Sequence, residues 1–336
     1  MTRSREWRLI ARPQGEPTLR DFELADVTLD EPGPGQILVA NEWLSVDPYM
    51  RGRMNAGRSY MPPFELGRAM SGGAVGTVTA SRAASIPVGA SVIHFAGWRE
   101  YAVLDAVDAQ PVDTRRSPAQ AYLGVLGATG LTAYVGLTDI AGVRAGDTVF
   151  VSAAAGAVGS VAGQIARNLG AARVIGSAGG ADKCARLLDD FGFDAAIDYR
   201  GGDLAAQLAA AAPEGIDVYF DNVGGEHLQA ALTVLNDFGR VALCGAVSVY
   251  NDTDPAPGPS NLHLATRKRI TLRGFLLGDH TARAGEWVRT AAGWLTDGTL
   301  RAEETVVEGI DHAVDAFLDM MRGGNTGKML VRLPRA

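Results

Sequence analysis

The stretch Asp147-Thr-Val-Phe-Val-Ser-Ala-Ala-Ala-Gly-Ala-Val-Gly159 decides how this chain is read. A buried strand, 149–152, runs directly into Ala154-x-Gly156-x-x-Gly159, and a helical pattern follows over 157–169. Strand, glycine turn and helix start together present backbone N–H groups and the positive end of a helix dipole, the arrangement that holds a pyrophosphate. Gly156 permits close backbone approach, and Gly159 lets the helix lie against the sheet. Packing alone also produces such turns, so the surroundings matter. Downstream, strands at 173–177, 195–198 and 217–221 alternate with helices at 182–190 and 204–211. Further strands are predicted at 239–244 and 270–274, with an amphipathic helix near 282–295. This is the βαβ succession of a parallel sheet, and it makes the glycine turn a dinucleotide signature.

Upstream the texture differs. Residues 1 to about 125 carry short β-type runs broken by Pro and Gly, such as Gln36-Ile-Leu-Val-Ala40, Gly73-Ala-Val-Gly-Thr-Val-Thr79 and Ser91-Val-Ile-His-Phe95. Such spacing predicts a β-barrel or sandwich. The run Asp254-Pro-Ala-Pro-Gly-Pro-Ser260 is too dense in turn residues for an element and reads as a surface loop. At 336 residues the chain has room for two domains. Its 42 glycines follow no fixed period and point to many tight turns. A net charge of −7 gives no electrostatic footprint for nucleic acid or anionic lipid. Two cysteines, Cys184 and Cys244, build neither a disulfide scaffold nor a four-cysteine zinc lobe. With so little cysteine a reducing, cytoplasmic location is expected, and residues 1–10, with three arginines and no apolar run, do not read as a secretory signal. The uncharged stretches 117–138 and 148–166 are interrupted by Gly, Ser, Thr or Gln, and a buried role is expected rather than a membrane span.

The second strand of the alternating region ends Val174-Ile-Gly176-Ser177 with no acid at its tip, and Lys183 follows in Gly179-Gly-Ala-Asp-Lys183. An NAD site places Asp or Glu there for the ribose, whereas an NADP site takes a cation for the 2′-phosphate. NADPH is therefore the expected cofactor. Lys183 carries some weight because arginine outnumbers lysine 28 to 3 in this chain. Tyr199 and Arg200, after the third strand, complete the same pocket. Other templates are excluded by inspection: no Tyr precedes a Lys by four positions, and no Gly-x-Ser-x-Gly, His-Glu-x-x-His or Gly-Lys-Ser/Thr occurs. The five histidines, at 94, 227, 263, 280 and 312, lack ligand spacing and read as structural or solvated.

A longer set of segments carries a family resemblance. Ser45-Val-Asp-Pro-Tyr-Met-Arg51, Tyr60-Met-Pro-Pro-Phe64, Gly130-Leu-Thr-Ala-Tyr134, Val151-Ser-Ala-Ala-Ala-Gly-Ala-Val-Gly-Ser160, Gly215-Ile-Asp-Val-Tyr-Phe-Asp-Asn-Val-Gly-Gly225, Cys244-Gly-Ala-Val-Ser248, Tyr250-Asn251 and Gly324-Asn-Thr-Gly-Lys328 span nearly the whole chain. Together they resemble the zinc-free branch of the medium-chain dehydrogenase/reductase superfamily, in the group of prostaglandin reductases, plant alkenal double-bond reductases and bacterial curcumin reductases. The resemblance implies an α/β fold with a GroES-like, β-rich catalytic domain from both chain ends, 1–126 and 303–336, and a Rossmann doubly wound parallel-sheet domain over 127–302. No metal is expected, because the stretch comparable to the Gly-His-Glu segment of zinc-dependent relatives is Gly67-Arg-Ala69.

Carried over by position, Lys183 and Tyr199 would hold the 2′-phosphate, Asn222 and Asn325 would lie along NADPH, and Thr132 would sit near the nicotinamide. Ala154, Gly156, Ala157, Val158 and Gly159 at the turn, with Ser177, Cys244, Tyr250 and Phe275 at strand ends, complete the cofactor contacts. Tyr49 and Tyr60 would line the substrate side, with Tyr250 as the catalytic hydroxyl. Three departures stand out: Ala128-Thr129 replaces the group's usual Met-Pro, Gly180 replaces a serine near the 2′-phosphate, and Asp198-Tyr-Arg200 replaces Asn-Tyr-Lys. The implied activity is NADPH-dependent reduction of the C=C bond of α,β-unsaturated aldehydes or ketones by a homodimer. The alternatives are a quinone reductase or NADP-dependent alcohol dehydrogenase on the same fold, and a cofactor-binding structural or regulatory protein without turnover.

Overall fold

A computed structural model describes residues 1–334 of the chain. The described residues divide into two units, Met1–Leu123 together with the segment from Glu304 onward, and Gly124–Glu303. The first unit opens with strands β1 (Thr2–Leu9) and β2 (Phe22–Leu29), which pair antiparallel on their own. Strand β3 (Gln36–Ser45) runs into the short helix α1 (Tyr49–Arg53), and β4 (Ala74–Ser81), β5 (Ser91–His94), β6 (Tyr101–Asp105) and β7 (Gln110–Pro111) follow.

The second unit contains α2 (Ala128–Val135), β8 (Thr148–Val151), α3 (Ala157–Asn168), β9 (Arg173–Ala178), α4 (Ala181–Asp189), β10 (Ala195–Asp198) and α5 (Leu204–Ala211). It continues with β11 (Ile216–Asp221), α6 (Gly225–Val234), β12 (Leu235–Leu243), α7 (His263–Arg267), β13 (Thr271–Gly274) and α8 (Ala284–Asp297). Its six strands are all parallel, in the order β10-β9-β8-β11-β12-β13. This is the 3-2-1-4-5-6 order of the doubly wound dinucleotide fold, with the reversal between β8 and β11. Val149, Phe150 and Val151 on β8 and Tyr219 and Phe220 on β11 are completely buried. Helices on both faces of a parallel sheet demand such continuously apolar strands.

The chain then returns to the first unit as β14 (Glu304–Glu308), α9 (Ala313–Met321) and β15 (Lys328–Arg332). A seven-stranded sheet forms in the order β14-β15-β3-β4-β5-β7, with β6 added to β3. Only the β14·β15 pair is parallel. The core beneath it packs Leu9, Met50 and Trp98 against Phe317 of α9 and Met329 of β15, so both chain ends build one apolar cluster. Among the described residues no helix is long and apolar enough to cross a membrane. The elements differ from expectation mainly at their edges. Strand β12 begins four residues earlier than read, at Leu235, because the turn-like Asn236-Asp237-Phe238 is absorbed as an irregular stretch. Phe238 takes a φ of 64° there, with the Arg269 guanidinium 4.5 Å from its ring centre.

Candidate functional site

At the end of β8 the backbone turns through Ala153, which takes a left-handed φ of 48° although it is not glycine. The Gly156 N–H bonds the Ala153 carbonyl at 2.9 Å, and the Ala154 N–H bonds Ser177 O of β9 at 2.8 Å, pinning the turn to the sheet. Helix α3 begins on Gly156 with no side chain capping its first N–H groups. Those donors, on Ala157, Val158 and Gly159, face outward from a twelve-residue helix and suit an anion. The glycines form a cradle that added atoms would fill. A methyl on Gly159 would be driven into the Ala153 carbonyl and stand 2.7 Å from Ala154 Cα, whereas one on Gly156 would meet only Ala153 O at 3.2 Å. Gly159 is thus needed by the protein itself, and Gly156 leaves space beside the helix start. The turn fits a dinucleotide pyrophosphate.

A polar knot ties the ends of β8 and β11 where the strand order reverses. Asp221 is 1% exposed, and its Oδ1 accepts from the Tyr219 hydroxyl at 2.7 Å and from the Val223 and Gly224 N–H groups at 2.9 and 2.8 Å. Burial pushes this carboxyl above its ordinary value, while the hydrogen bonds draw it back. Ser152 Oγ accepts from the Asn222 N–H at 3.0 Å, and Asn222 Nδ2 donates to Ser152 O at 2.8 Å. Asn222 is therefore held rigidly at the crevice where open α/β sheets bind ligands. The sequence reading did not single out Ser152 or Asp221. An acid closing the buried run Val218-Tyr-Phe-Asp221 was the available signal, since a buried carboxylate without hydrogen-bond donors is strongly unfavourable.

Donors converge at the tip of β9. A Cβ placed on Gly179 would lie 2.8 Å from the Tyr199 hydroxyl and 2.9 Å from Arg200 Nε, so both side chains arch over Gly179. Lys183 stands half-buried in the first turn of α4, and Ser177 Oγ is buried with no hydrogen-bond partner among the described residues. The nearby acid is tied to the backbone of this corner: Asp198 Oδ1 accepts from the Gly180 N–H at 2.9 Å and the Arg200 N–H at 3.0 Å. Two cationic side chains, a phenol and an orphaned hydroxyl suit a phosphomonoester. His227 of α6, read from sequence as structural or solvated, packs edge-on against Tyr199 at 5.4 Å. Burial pushes its imidazole down to about 4, so a neutral ring braces Tyr199. No sequence signal linked the two, because α6 was not foreseen.

The third group lies at the C-terminal ends of β11 and β12. Cys244 follows β12, and burial, reinforced by the Asp221 charge, pushes its thiol up to about 12, which favours the protonated form. A Cβ on Gly245 would stand 3.3 Å from both the Tyr250 hydroxyl and Asn222 O. The Tyr250 phenol therefore folds back over Gly245 toward Asn222. Burial raises it above the ordinary tyrosine value, and a backbone hydrogen bond at Ala246 draws it partly down. Thr132 of α2 donates its hydroxyl to Ala128 O at 2.8 Å. Phe275, just past β13, faces Gly136, where its ring would stand 3.0 Å from a Cβ.

The remaining predicted residues belong to the first unit. Tyr49 opens α1 and stacks on Phe95 with ring centres 6.4 Å apart, its hydroxyl buried and without a hydrogen-bond partner among the described residues. Tyr60 is 60% exposed on the loop after α1. Asn325 is buried, with Nδ2 donating to Gly327 O at 2.7 Å.

Comparison with known proteins places these features in a family. Residues 5–112 match the family described as the N-terminal domain of oxidoreductase, and residues 157–293 match the one described as zinc-binding dehydrogenase. Across 98% of its length the chain is 39% identical to the NADPH-dependent curcumin reductase of Escherichia coli (strain K12), of which 97% is covered. It is 40% identical to prostaglandin reductase 1 of Bos taurus, over 99% of this chain and 100% of that one. The crystal structure of CurA in complex with NADPH from Vibrio vulnificus matches with a TM-score of 0.94 and 40% identity, covering 99% and 100% of the two chains. Among the described residues no three His, Cys, Asp or Glu side chains are grouped to hold a metal ion. The chain belongs to the medium-chain dehydrogenase/reductase superfamily, in its group of curcumin and prostaglandin reductases.

Proposed function

We propose that this protein reduces the C=C bond of an α,β-unsaturated aldehyde or ketone with NADPH. The observation that carries the reading is the Tyr250 hydroxyl, folded over Gly245 beside Asn222 at the carboxyl ends of β11 and β12. NADPH, when bound, supplies the hydride that adds to the β-carbon of the substrate. Negative charge then develops on the carbonyl oxygen, and the product forms when a proton reaches the α-carbon. A neutral phenol is suited to the first task, because a hydrogen-bond donor aimed at an oxyanion is worth about 10²–10³ in rate. Burial keeps Tyr250 protonated. The α3 N-terminus would hold the pyrophosphate, Asn222 would orient the cofactor, and Tyr49 and Tyr60 would enclose the substrate.

The test is a spectrophotometric screen of NADPH oxidation against enones, quinones and simple aldehydes. Turnover confined to enones and enals supports the reading; turnover only with quinones, only with simple aldehydes, or with nothing overturns it in favour of a quinone reductase, an alcohol dehydrogenase or a non-catalytic binder. Dialysis against a chelator is expected to leave the activity unchanged, and stoichiometric zinc lost together with activity would refute metal-free chemistry.

The β9 corner motivates a further prediction. A hydrogen bond to a charged group contributes about 1.5–3 kcal/mol, so Lys183→Ala should weaken NADPH by roughly ten- to a hundredfold. NADH affinity should barely change. Equal weakening of both cofactors in fluorescence titrations would show that Lys183 supports the fold and not the phosphate.

A further inference from the structure

Arginine outnumbers lysine 28 to 3 in this chain, so each lysine invites the question of why the commoner cation does not stand there. Lys183 belongs to the phosphate corner already described. Lys268 closes the C-terminal end of α6, with Nζ at 2.7 Å from Thr233 O and Leu235 O and 3.2 Å from Leu232 O. Lys328 is the third. Its side chain is 3% exposed, and Nζ donates to Val46 O at 2.7 Å and Met329 O at 2.9 Å and pairs with Asp47 Oδ1 at 3.0 Å. Three acceptors meeting at one point suit the three protons of an ammonium and not the flat fork of a guanidinium.

The place of this pair in the fold gives it a consequence. Strand β15 lies antiparallel to β3, with Leu330 opposite Ser45, but the ladder ends there. Beyond it the chain makes the turn Val46-Asp47-Pro48 and enters α1 at Tyr49. That turn is held by Lys328, by the Val46 N–H on Met329 O at 3.2 Å, by the Ser45 hydroxyl donating to Asp47 Oδ2, and by the Met50 N–H on Asp47 O at 3.2 Å. Tyr49 is two residues away with its hydroxyl buried and without a hydrogen-bond partner among the described residues, so nothing on the hydroxyl itself fixes its direction. The turn and the Phe95 stack are what orient it.

We propose that Lys328 is a positioning residue: its ion pair with Asp47 locks the turn that orients Tyr49, the residue assigned to the substrate under the proposed function. The assignment rests on the enone reductase reading for its effect on turnover, but not for the lock itself. Without the ammonium, the Asp47 carboxylate loses its only ion-pair partner among the described residues, and two carbonyls lose this donor. A charge left unpaired in that position is strongly unfavourable, so Asp47 moves toward water and carries the turn with it.

The experiment compares Lys328→Met with Lys268→Met, a variant that loses a similar three-acceptor ammonium at the C-terminal end of α6. Each is assayed at a temperature 20 degrees below its own melting point, a margin of about the size that keeps both folded. Lys328→Met is expected to lower kcat/KM for the enone by about ten- to a hundredfold while NADPH affinity stays within about threefold. Lys268→Met should change neither. On a Tyr49→Ala background Lys328→Met should cost less than about threefold, since coupled residues fail to add. Amide exchange in the peptide covering 46–53 should quicken in Lys328→Met and not in Lys268→Met, and this readout needs no turnover. An unchanged exchange rate, or an undiminished loss on the Tyr49→Ala background, overturns the lock even when the wild type reduces enones. If Lys328→Met does not fold, Asp47→Asn, which keeps the shape and removes the charge, takes its place with the same expected outcomes.

Discussion

Tyr250→Phe is expected to lower kcat for enone reduction by about 10²-fold or more with little change in NADPH affinity. The substitution removes one hydroxyl and keeps nearly the same ring, so the packing over Gly245 survives. The hydroxyl lies at the carboxyl edge of the parallel sheet, close to where a Cβ on Gly245 would stand, and it is buried enough to remain neutral. An interaction with the carbonyl oxygen strengthens as charge arrives, which makes it a contribution to the transition state more than to substrate binding. Stopped-flow and steady-state measurements separate the outcomes. A rise in KM with unchanged kcat would show that Tyr250 lines the pocket only. Full activity would exclude its hydroxyl as the oxyanion donor and leave a cofactor hydroxyl or water in that role.

Gly159→Ala and Gly156→Ala are expected to separate folding from cofactor binding. The Gly159 methyl would be driven into backbone on the Ala153 turn, and backbone cannot swing aside as a side chain does. Overpacking of this kind costs about 1–3 kcal/mol or more, so Gly159→Ala should lower the melting temperature by several degrees. The same displacement misaligns the α3 N–H groups and should weaken NADPH at least about a hundredfold, since 1.4 kcal/mol is tenfold in affinity. Gly156 has an extended backbone, φ −82° and ψ 178°, that alanine adopts freely, and its methyl meets one carbonyl at 3.2 Å. Its variant should melt near the wild-type temperature yet bind NADPH at least tenfold more weakly, because the methyl occupies the space the pyrophosphate needs. Melting curves with and without NADPH decide the matter. Undiminished stabilisation of Gly156→Ala by NADPH would place the pyrophosphate elsewhere.

The parallel-sheet unit was legible because its signals are local. Each buried strand and each amphipathic helix from Thr148 to Asp221 repeats its period within a dozen residues, and the structure matches those elements to within a residue or two. Helix α6 escaped because it starts on Gly224-Gly225 and carries His227 among its buried residues, so no apolar stripe announced it. Helix α9 escaped because its buried face has meaning only once Phe317 meets Phe22 and Trp98, which come from the other end of the chain. The β-rich unit was visible as a class of architecture but not as an order of strands.

The site divides along the same line. Composition and motif alone marked a glycine turn between strand and helix at Ala154 to Gly159, a cation in place of an acid after the second strand, and no metal-ligand spacing. Only the tertiary structure decided where polar atoms point. Asp198 reads from sequence as an acid beside a phosphate pocket, yet the folded chain commits its carboxylate to the Gly180 and Arg200 N–H groups. Lys328 and Asp47 stand at opposite ends of the chain, and they pair because β15 is laid between β14 and β3. The physical reason is range: periodicity and turn chemistry act within a few residues and are written along the chain, whereas the direction of a side chain at a strand end is set by the register of a sheet assembled from distant segments.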